Sequence, residues 1–227
     1  MLHIAFGAQR MEELAQEIIA RNLKTITYHD IIAGLLHGEC PAKDTIVVSL
    51  DDLGSVWLQP EFPKMVRVFL DHDLKMTVGV VVKGPQASFV WDYFKEIDAQ
   101  GIEIASHSVN HYNLNDLNNE VQLTEIRDSF AVICEHLGKC PVSFILPYGA
   151  YDQRVLVTSD EYTFIVGIGG GVIFDGETPF YVGRLGPDVY DQASTIQRLE
   201  WTFDVNYPTP TQSQTSPHPT HTPQPGD

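Results

Sequence analysis

The stretch Thr45-Ile-Val-Val-Ser-Leu-Asp-Asp52 decides the fold class of this chain. Its first six residues are mostly β-branched and apolar, which predicts a buried strand from Thr45 to Leu50, and two carboxylates follow that strand directly. Similar runs predict strands at Met76 to Val82, Ile102 to Ala105, Val142 to Leu146, Phe164 to Ile168 and Phe180 to Val182. We expect the functional residues to lie at the ends of these strands.

Segments of helical period lie between the strands. They predict helices at Glu61 to Asp71, Ser88 to Ala99, Asn115 to Leu137 and Tyr151 to Ser159. Upstream, Met11 to Ala20 and His29 to Leu36 predict two more helices around a short strand, Thr25 to Thr27. The alternation indicates an α/β fold with a parallel sheet, either open and doubly wound or closed into a barrel.

The composition limits the classes of partner. The chain has 14 basic and 30 acidic side chains, a formal net charge of -16, which disfavours nucleic acids and anionic lipids. A neutral or cationic polymer fits better, although acidity that serves solubility alone explains the charge equally well. No apolar run approaches the roughly 20 residues of a membrane span. We expect one domain over residues 1–207 and a disordered tail, rich in Pro, Thr, Ser and Gln, over residues 208–227.

Three strand ends carry residues typical of a hydrolytic metal site. Asp51 and Asp52 follow the first of these strands, at the end where parallel α/β folds bind ligands. His107 and His111 follow another, and their spacing predicts two imidazoles on one face of a helical turn. A Pro-Tyr-Gly turn, residues 147–149, follows a third. Taken singly, these features also suit a helix cap, ordinary surface or core histidines and a simple loop; together they supply metal ligands and a separate carboxylate base.

At these residues the sequence resembles the polysaccharide deacetylase family, also called the NodB-homology or carbohydrate esterase 4 family. Its Thr-Phe-Asp-Asp-Gly motif is matched in part by Ser49-Leu-Asp-Asp-Leu53, and its His-Ser/Thr-x-x-His motif in full by His107 to His111. The resemblance extends from about Thr25 to Asp188. It implies a distorted (β/α)7 TIM-like barrel, and because only Met1 to Lys24 precede this region, a truncated start and a missing first strand stay open.

The resemblance also implies roles for individual residues. Asp51 would be the general base, while Asp52, His107 and His111 would hold a divalent metal, with Zn²⁺ expected and Co²⁺, Ni²⁺ or Fe²⁺ as alternatives. Tyr148 would offer its backbone N–H to the oxyanion, and Pro147 and Tyr148 would line the substrate site. The implied reaction releases acetate from an N-acetylglucosamine-containing glycan, such as peptidoglycan, a chitin-like polymer or a biofilm polysaccharide.

Departures from the family pattern keep other functions open. The Arg that usually precedes Pro-Tyr is Ile145 here, and no Leu-x-His follows near the last strands. Arg184 is the best candidate to replace the missing cation, and a surface Arg is the alternative. A catalytically silent sugar-binding protein and a hydrolase of small amides are therefore the competing hypotheses.

The sequence says little about the compartment. The family implies an extracellular or cell-envelope location, but Met1 to Phe6 do not resemble a signal peptide. Cys40, Cys134 and Cys140 are too few and too scattered to predict a disulfide framework. Nothing in the sequence indicates the oligomeric state.

Overall fold

A computed structural model describes residues 7–52, 61–83, 88–150, 152, 154–155, 159–168, 171–173 and 180–184. These residues all belong to one compact unit, Met1–Gln192. The tail predicted over residues 208–227, and Leu53 beside the Asp pair, lie outside the described residues. No helix among the described residues is both long and apolar enough to cross a membrane.

A seven-stranded sheet forms the centre of the unit. Two short parallel strands, β1 (Lys24–Thr25) and β2 (Thr45–Ile46), pair separately. The large sheet contains β3 (Ser49–Leu50), β4 (Met76–Val80), β5 (Ile102–Ser106), β6 (Ser143–Ile145), β7 (Phe164–Ile168), β8 (Gly171–Ile173) and β9 (Phe180–Arg184). Its order is β3-β4-β5-β6-β7-β9-β8, and all neighbours are parallel except β8 and β9.

Five helices accompany the strands: α1 (Ala8–Ala20), α2 (Tyr28–Leu36), α3 (Glu61–Asp71), α4 (Ser88–Ala99) and α5 (Asn119–Leu137). Helix α1 packs on α3, and α4 and α5 pack on β5. Every residue of β4 and β5 is buried, as expected for parallel strands covered on both faces. The predicted α/β fold is confirmed, with six parallel strands in the large sheet among the described residues.

Two elements differ from the sequence prediction. The predicted strand Thr45 to Leu50 is two short strands, β2 and β3, which pair in different sheets. Strand β8 was missed because it is only three residues long, Gly171–Ile173, and its two β-branched residues follow a run of glycines in the sequence. The other described strands and helices agree with the prediction to within a few residues, and of the predicted helix Tyr151 to Ser159 only part is described.

Alternating side chains of β6 divide the core into two clusters. Ile145 packs in one cluster with Tyr28 of α2 and Ala105 of β5. The flanking residues Phe144 and Leu146 point the other way, into a cluster that includes Ile126 of α5. Helix α2 therefore covers one face of the sheet and α5 covers the other.

A buried carboxylate anchors the start of α2 to the sheet. Glu103 of β5 is 4% exposed, and it accepts hydrogen bonds from the backbone N–H of His29 at 3.1 Å and from Ser143 Oγ at 3.0 Å. Burial raises the pKa of Glu103 to about 7, although these hydrogen bonds favour the ionised form. The start of α2 is also fixed by a capping box between Thr27 and Asp30.

A disulfide closes the C-terminal end of α5. The helix ends at Gly138, whose φ of 72° turns the chain back, and Cys140 then bonds to Cys134 in the last turn of the helix. Spacing alone did not predict this bond, because it depends on the direction of the chain after Gly138.

Candidate active site

The candidate residues lie at the carboxyl ends of four parallel strands. Asp51 and Asp52 follow β3, His107 follows β5, Pro147 follows β6, and Arg184 is the last residue of β9. Carboxyl ends of neighbouring parallel strands meet at one edge of the sheet. The sheet thus gathers residues that are up to 133 positions apart in sequence.

Asp52, His107 and His111 converge on a common point. Asp52 Oδ1 lies 2.8 Å from His111 Nε2 and 3.3 Å from His107 Nε2. One ligand atom from each residue lies within 4.8 Å of the other two, and no other cluster of this kind occurs in the described part of the chain. The ligand atoms that the sequence prediction required are therefore close together.

The surroundings of this triad fit a metal ion. His107 is 2% exposed, and its Nδ1 lies 2.7 Å from the carbonyl oxygen of Ile145, a contact that places a proton on Nδ1 and directs Nε2 at Asp52. Burial alone would raise the pKa of Asp52, but hydrogen bonds from His107 and His111 outweigh it and hold the pKa well below its usual range. Two imidazoles and one carboxylate are a donor set for Zn²⁺ and similar first-row ions.

The predicted helical turn between the histidines is wrong. Residues 107–111 form an irregular loop in which Ser108 and His111 have left-handed φ values of 67° and 60°. The backbone N–H of His111 donates to Ser108 Oγ at 2.9 Å, so the loop turns on a local hydrogen bond. Left-handed backbone costs about 1–2 kcal/mol at a non-glycine residue. The loop that brings the two imidazoles together therefore contains two residues with strained backbone conformations.

Asp51 stands beside the triad and pairs with Arg184. Arg184 Nη1 lies 2.7 Å from Asp51 Oδ2 and 2.9 Å from Oδ1, and it also donates to Ser49 Oγ at 2.7 Å. The side chains of Arg184 and Asp51 are only 18% and 24% exposed. The alternative of a simple surface arginine therefore does not describe Arg184.

Ile145 occupies the sequence position at which the family usually has an arginine. Its side chain is fully buried in the cluster with Tyr28 and Ala105. The guanidinium that contacts Asp51 therefore belongs to Arg184 at the end of β9 and not to a residue of β6. Sequence reasoning missed Ser49, which lies two residues before Asp51 on the same strand face and contacts the same guanidinium.

The Pro-Tyr-Gly turn places Tyr148 next to the triad. Tyr148 has φ 59° and ψ 5°, and its ring centroid lies 4.7 Å from that of His111. Its side chain is 61% exposed, whereas Pro147 is buried. Among the described residues, the backbone N–H of Tyr148 donates to no protein acceptor. The roles of Pro147 and Tyr148 toward a substrate stay predictions.

Comparison with known proteins identifies the family. A family model described as "Polysaccharide deacetylase" matches residues 38–165, more than half of the 227 residues. The chain belongs to the polysaccharide deacetylase family. Both the Asp pair and the two histidines fall within the matched residues.

Two relatives of known sequence are also named as deacetylases. "Putative polysaccharide deacetylase YxkH" of Bacillus subtilis is 22% identical over 64% of this chain, and "Chitin deacetylase 1" of Cryptococcus neoformans is 31% identical over 52%. The aligned regions span 51% and 24% of the lengths of those two proteins.

A solved structure supports the fold. The Streptococcus pyogenes deacetylase PplD, described in complex with acetate, has a TM-score of 0.69 and 20% identity, with 86% of each chain covered. Deacetylases of this family have a (β/α)7 barrel. The predicted barrel class is confirmed, with a curled sheet of six parallel strands in the described residues.

Proposed function

We propose that this polysaccharide deacetylase family member is a metal-dependent hydrolase that removes N-acetyl groups from an N-acetylglucosamine-containing polysaccharide. One observation carries the proposal: Asp52, His107 and His111 converge, while Asp51 stands beside them and is held by Arg184 instead of by a metal-ligand residue. This separation of ligands from a further carboxylate is what metal-assisted amide hydrolysis needs.

Each residue has a defined task in the proposed reaction. Asp52, His107 and His111 would hold a divalent cation, Zn²⁺ by preference and Co²⁺, Ni²⁺ or Fe²⁺ as alternatives. When bound there, the cation supplies Lewis acidity that polarises the acetamido carbonyl and acidifies water. Asp51 accepts the proton of the attacking water, and Arg184 fixes the orientation of that carboxylate. The products are acetate and a free amine on the sugar.

The developing oxyanion needs a hydrogen-bond donor. The backbone N–H of Tyr148 is suited to this role because it has no acceptor among the described residues. A preorganised donor of this type contributes about 3 kcal/mol to transition-state stabilisation. The left-handed φ of 59° at Tyr148 sets the direction of this N–H before any substrate binds.

The substrate class is inferred from the net charge of the protein, the exposed ring of Tyr148 and the name of a relative. A formal net charge of -16 is compatible with a neutral glycan and with the cationic amine product. The exposed ring of Tyr148 provides an aromatic surface beside the triad on which a sugar ring can rest. The relative from Cryptococcus neoformans is named as a chitin deacetylase, which supports a polymer of N-acetylglucosamine.

Acetate release tests this proposal. Chitooligosaccharides and peptidoglycan fragments are incubated with protein loaded with Zn²⁺ or Co²⁺, with chelated protein, and with the variants Asp51→Asn and Asp92→Asn. Asp92 is exposed on α4, so its variant makes the same chemical change away from the site. We expect acetate from the wild type and Asp92→Asn only. Equal rates for Asp51→Asn would refute the assigned base, and tight binding without acetate under every metal would favour the silent sugar-binding alternative.

We also propose that the protein matures in an oxidising compartment, in line with the extracellular or cell-envelope location expected of the family. The support is the bond between Cys134 and Cys140, because structural disulfides form mainly outside the reducing cytosol. Mass spectrometry of protein alkylated without reductant tests this. A mass gain for Cys40 alone is expected, whereas alkylation of all three cysteines in natively sourced protein would contradict it.

A further inference from the structure

Glu125 of α5 is a buried carboxylate directed at the loop between the two histidines. It is 1% exposed, and its oxygens accept three hydrogen bonds from that loop. Oε2 accepts from the backbone N–H groups of Val109 at 3.0 Å and Asn110 at 2.8 Å, and Oε1 accepts from Asn110 Nδ2 at 2.5 Å. A buried carboxylate is tolerated where donors of this kind satisfy it.

The loop has its strained residues on either side of this contact. Ser108 and His111 have left-handed φ values, and Val109 and Asn110 lie between them. The other face of the loop is held by β4 and the residues after it, since Val82 N–H donates to the carbonyl of Ser108 and Lys83 N–H to that of Val109. The carbonyl groups of Ser108 and Val109 thus face the segment that follows β4. The N–H groups of Val109 and Asn110 face Glu125.

We propose that Glu125 is a positioning residue for the metal site, acting through Val109 and Asn110 on the imidazoles of His107 and His111. The proposal rests on the metal triad of the proposed function. Without the carboxylate, two partly buried N–H groups lose their acceptor, and the loop then satisfies them best by relaxing its left-handed residues. The two imidazoles would no longer meet Asp52 at the distances seen here.

Metal binding by the apo protein tests this role without recourse to turnover. Isothermal titration with Zn²⁺ and Co²⁺ compares the wild type with Glu125→Ala and Glu125→Gln. Residues that orient metal ligands typically contribute a factor of about 10–100 to metal affinity. We expect about a 100-fold loss for Glu125→Ala and about a tenfold loss for Glu125→Gln, since an amide oxygen still accepts from the backbone but lacks the charge.

Two controls on the same helix separate positioning from general stability. Ser129 is buried one turn further along and bonds to Ser106 Oγ at 2.8 Å, so Ser129→Ala should lower the melting temperature and leave metal affinity unchanged. Glu120 is exposed, and Glu120→Gln should change neither. The visible spectrum of the Co²⁺-loaded protein, which reports ligand geometry, should differ from wild type only for the Glu125 variants.

The outcomes distinguish this inference from the proposed function. If the wild type binds neither ion, the metal triad itself is wrong and Glu125 has no such role. If the wild type binds and Glu125→Gln keeps both the affinity, within a factor of two, and the Co²⁺ spectrum, then Glu125 is structural only. If Glu125→Ala does not fold, Glu125→Gln decides.

Discussion

Raising the pH from about 5.5 to about 8 should cost this protein about 2 kcal/mol of folding free energy through a single side chain, Glu103. Glu103 is buried against the start of α2, and burial raises its pKa from the ordinary value of 4.5 to about 7. The folded chain therefore binds more protons at this residue than the unfolded chain does between those two pH values. Stability from this source is complete below the unfolded pKa and is lost as the pH rises through the folded pKa.

The magnitude follows from the size of that shift. A rise from 4.5 to about 7 corresponds to about 3 kcal/mol in total, at about 1.4 kcal/mol for each pH unit. About 2 kcal/mol of this is lost between about pH 5.5 and about pH 8. This range also keeps the chain away from its isoelectric point of about 4.8, where it would tend to precipitate.

Urea unfolding at the two pH values measures this effect. The free energy of unfolding is compared for the wild type, Glu103→Gln and Glu96→Gln, of which Glu96 is exposed on α4. The Gln amide has nearly the shape of the protonated acid, so its oxygen can still accept from His29 and its NH₂ can donate to Ser143 Oγ. The stability of Glu103→Gln relative to the wild type should therefore rise by about 2 kcal/mol from low to high pH. An unchanged difference, or the same rise in Glu96→Gln, would refute the reasoning.

Other predictions concern the site and the strained turns. Arg184→Met should lower kcat/KM for acetate release roughly thirtyfold, a loss of about 2 kcal/mol in transition-state stabilisation, because the charge-assisted bond to Asp51 is lost. Wild-type turnover in this variant would exclude a role for Arg184 in orienting Asp51. Gly149→Ala should lower the free energy of unfolding by about 2 kcal/mol in urea titrations, since Gly149 has φ 65° and an added Cβ would lie 2.6 Å from Ile168 Cγ1; no change would show that Ile168 can move away. Reduction of the disulfide that closes α5, which joins cysteines 6 positions apart, should also cost about 2 kcal/mol by the same assay, and equal stability with and without reductant would contradict this.

The strand-end residues could be predicted because parallel strands impose a shared edge. Once the runs before Asp51 and His107 are taken as buried strands, the motifs that follow them must meet. The convergence of Asp52 with both histidines was therefore expected from sequence, and the structure places the three side chains together. Their chemical roles, and that of Asp51, stay predictions until turnover and metal binding are measured.

The partners of these residues could not be predicted in the same way. Arg184 lies 133 positions from Asp51, and four strands separate β9 from β3 in the sheet, so only the curl of the sheet brings Arg184 to the Asp51 carboxylate. Glu125 is one of several acidic residues in an amphipathic helix, and nothing local distinguishes a buried glutamate from an exposed one. Glu103 interrupts an apolar strand, which was a usable signal of a buried polar contact.

The left-handed residues have a consequence for engineering. Six described non-glycine residues have positive φ, and four of them, Asp52, Ser108, His111 and Tyr148, belong to the candidate site. A library screened for heat resistance alone would gain by exchanging such positions for glycine or asparagine, which adopt this backbone at lower cost. Variants selected in that way would resist unfolding better but would lose side chains of the candidate site, so screens of this protein should score acetate release together with thermal tolerance.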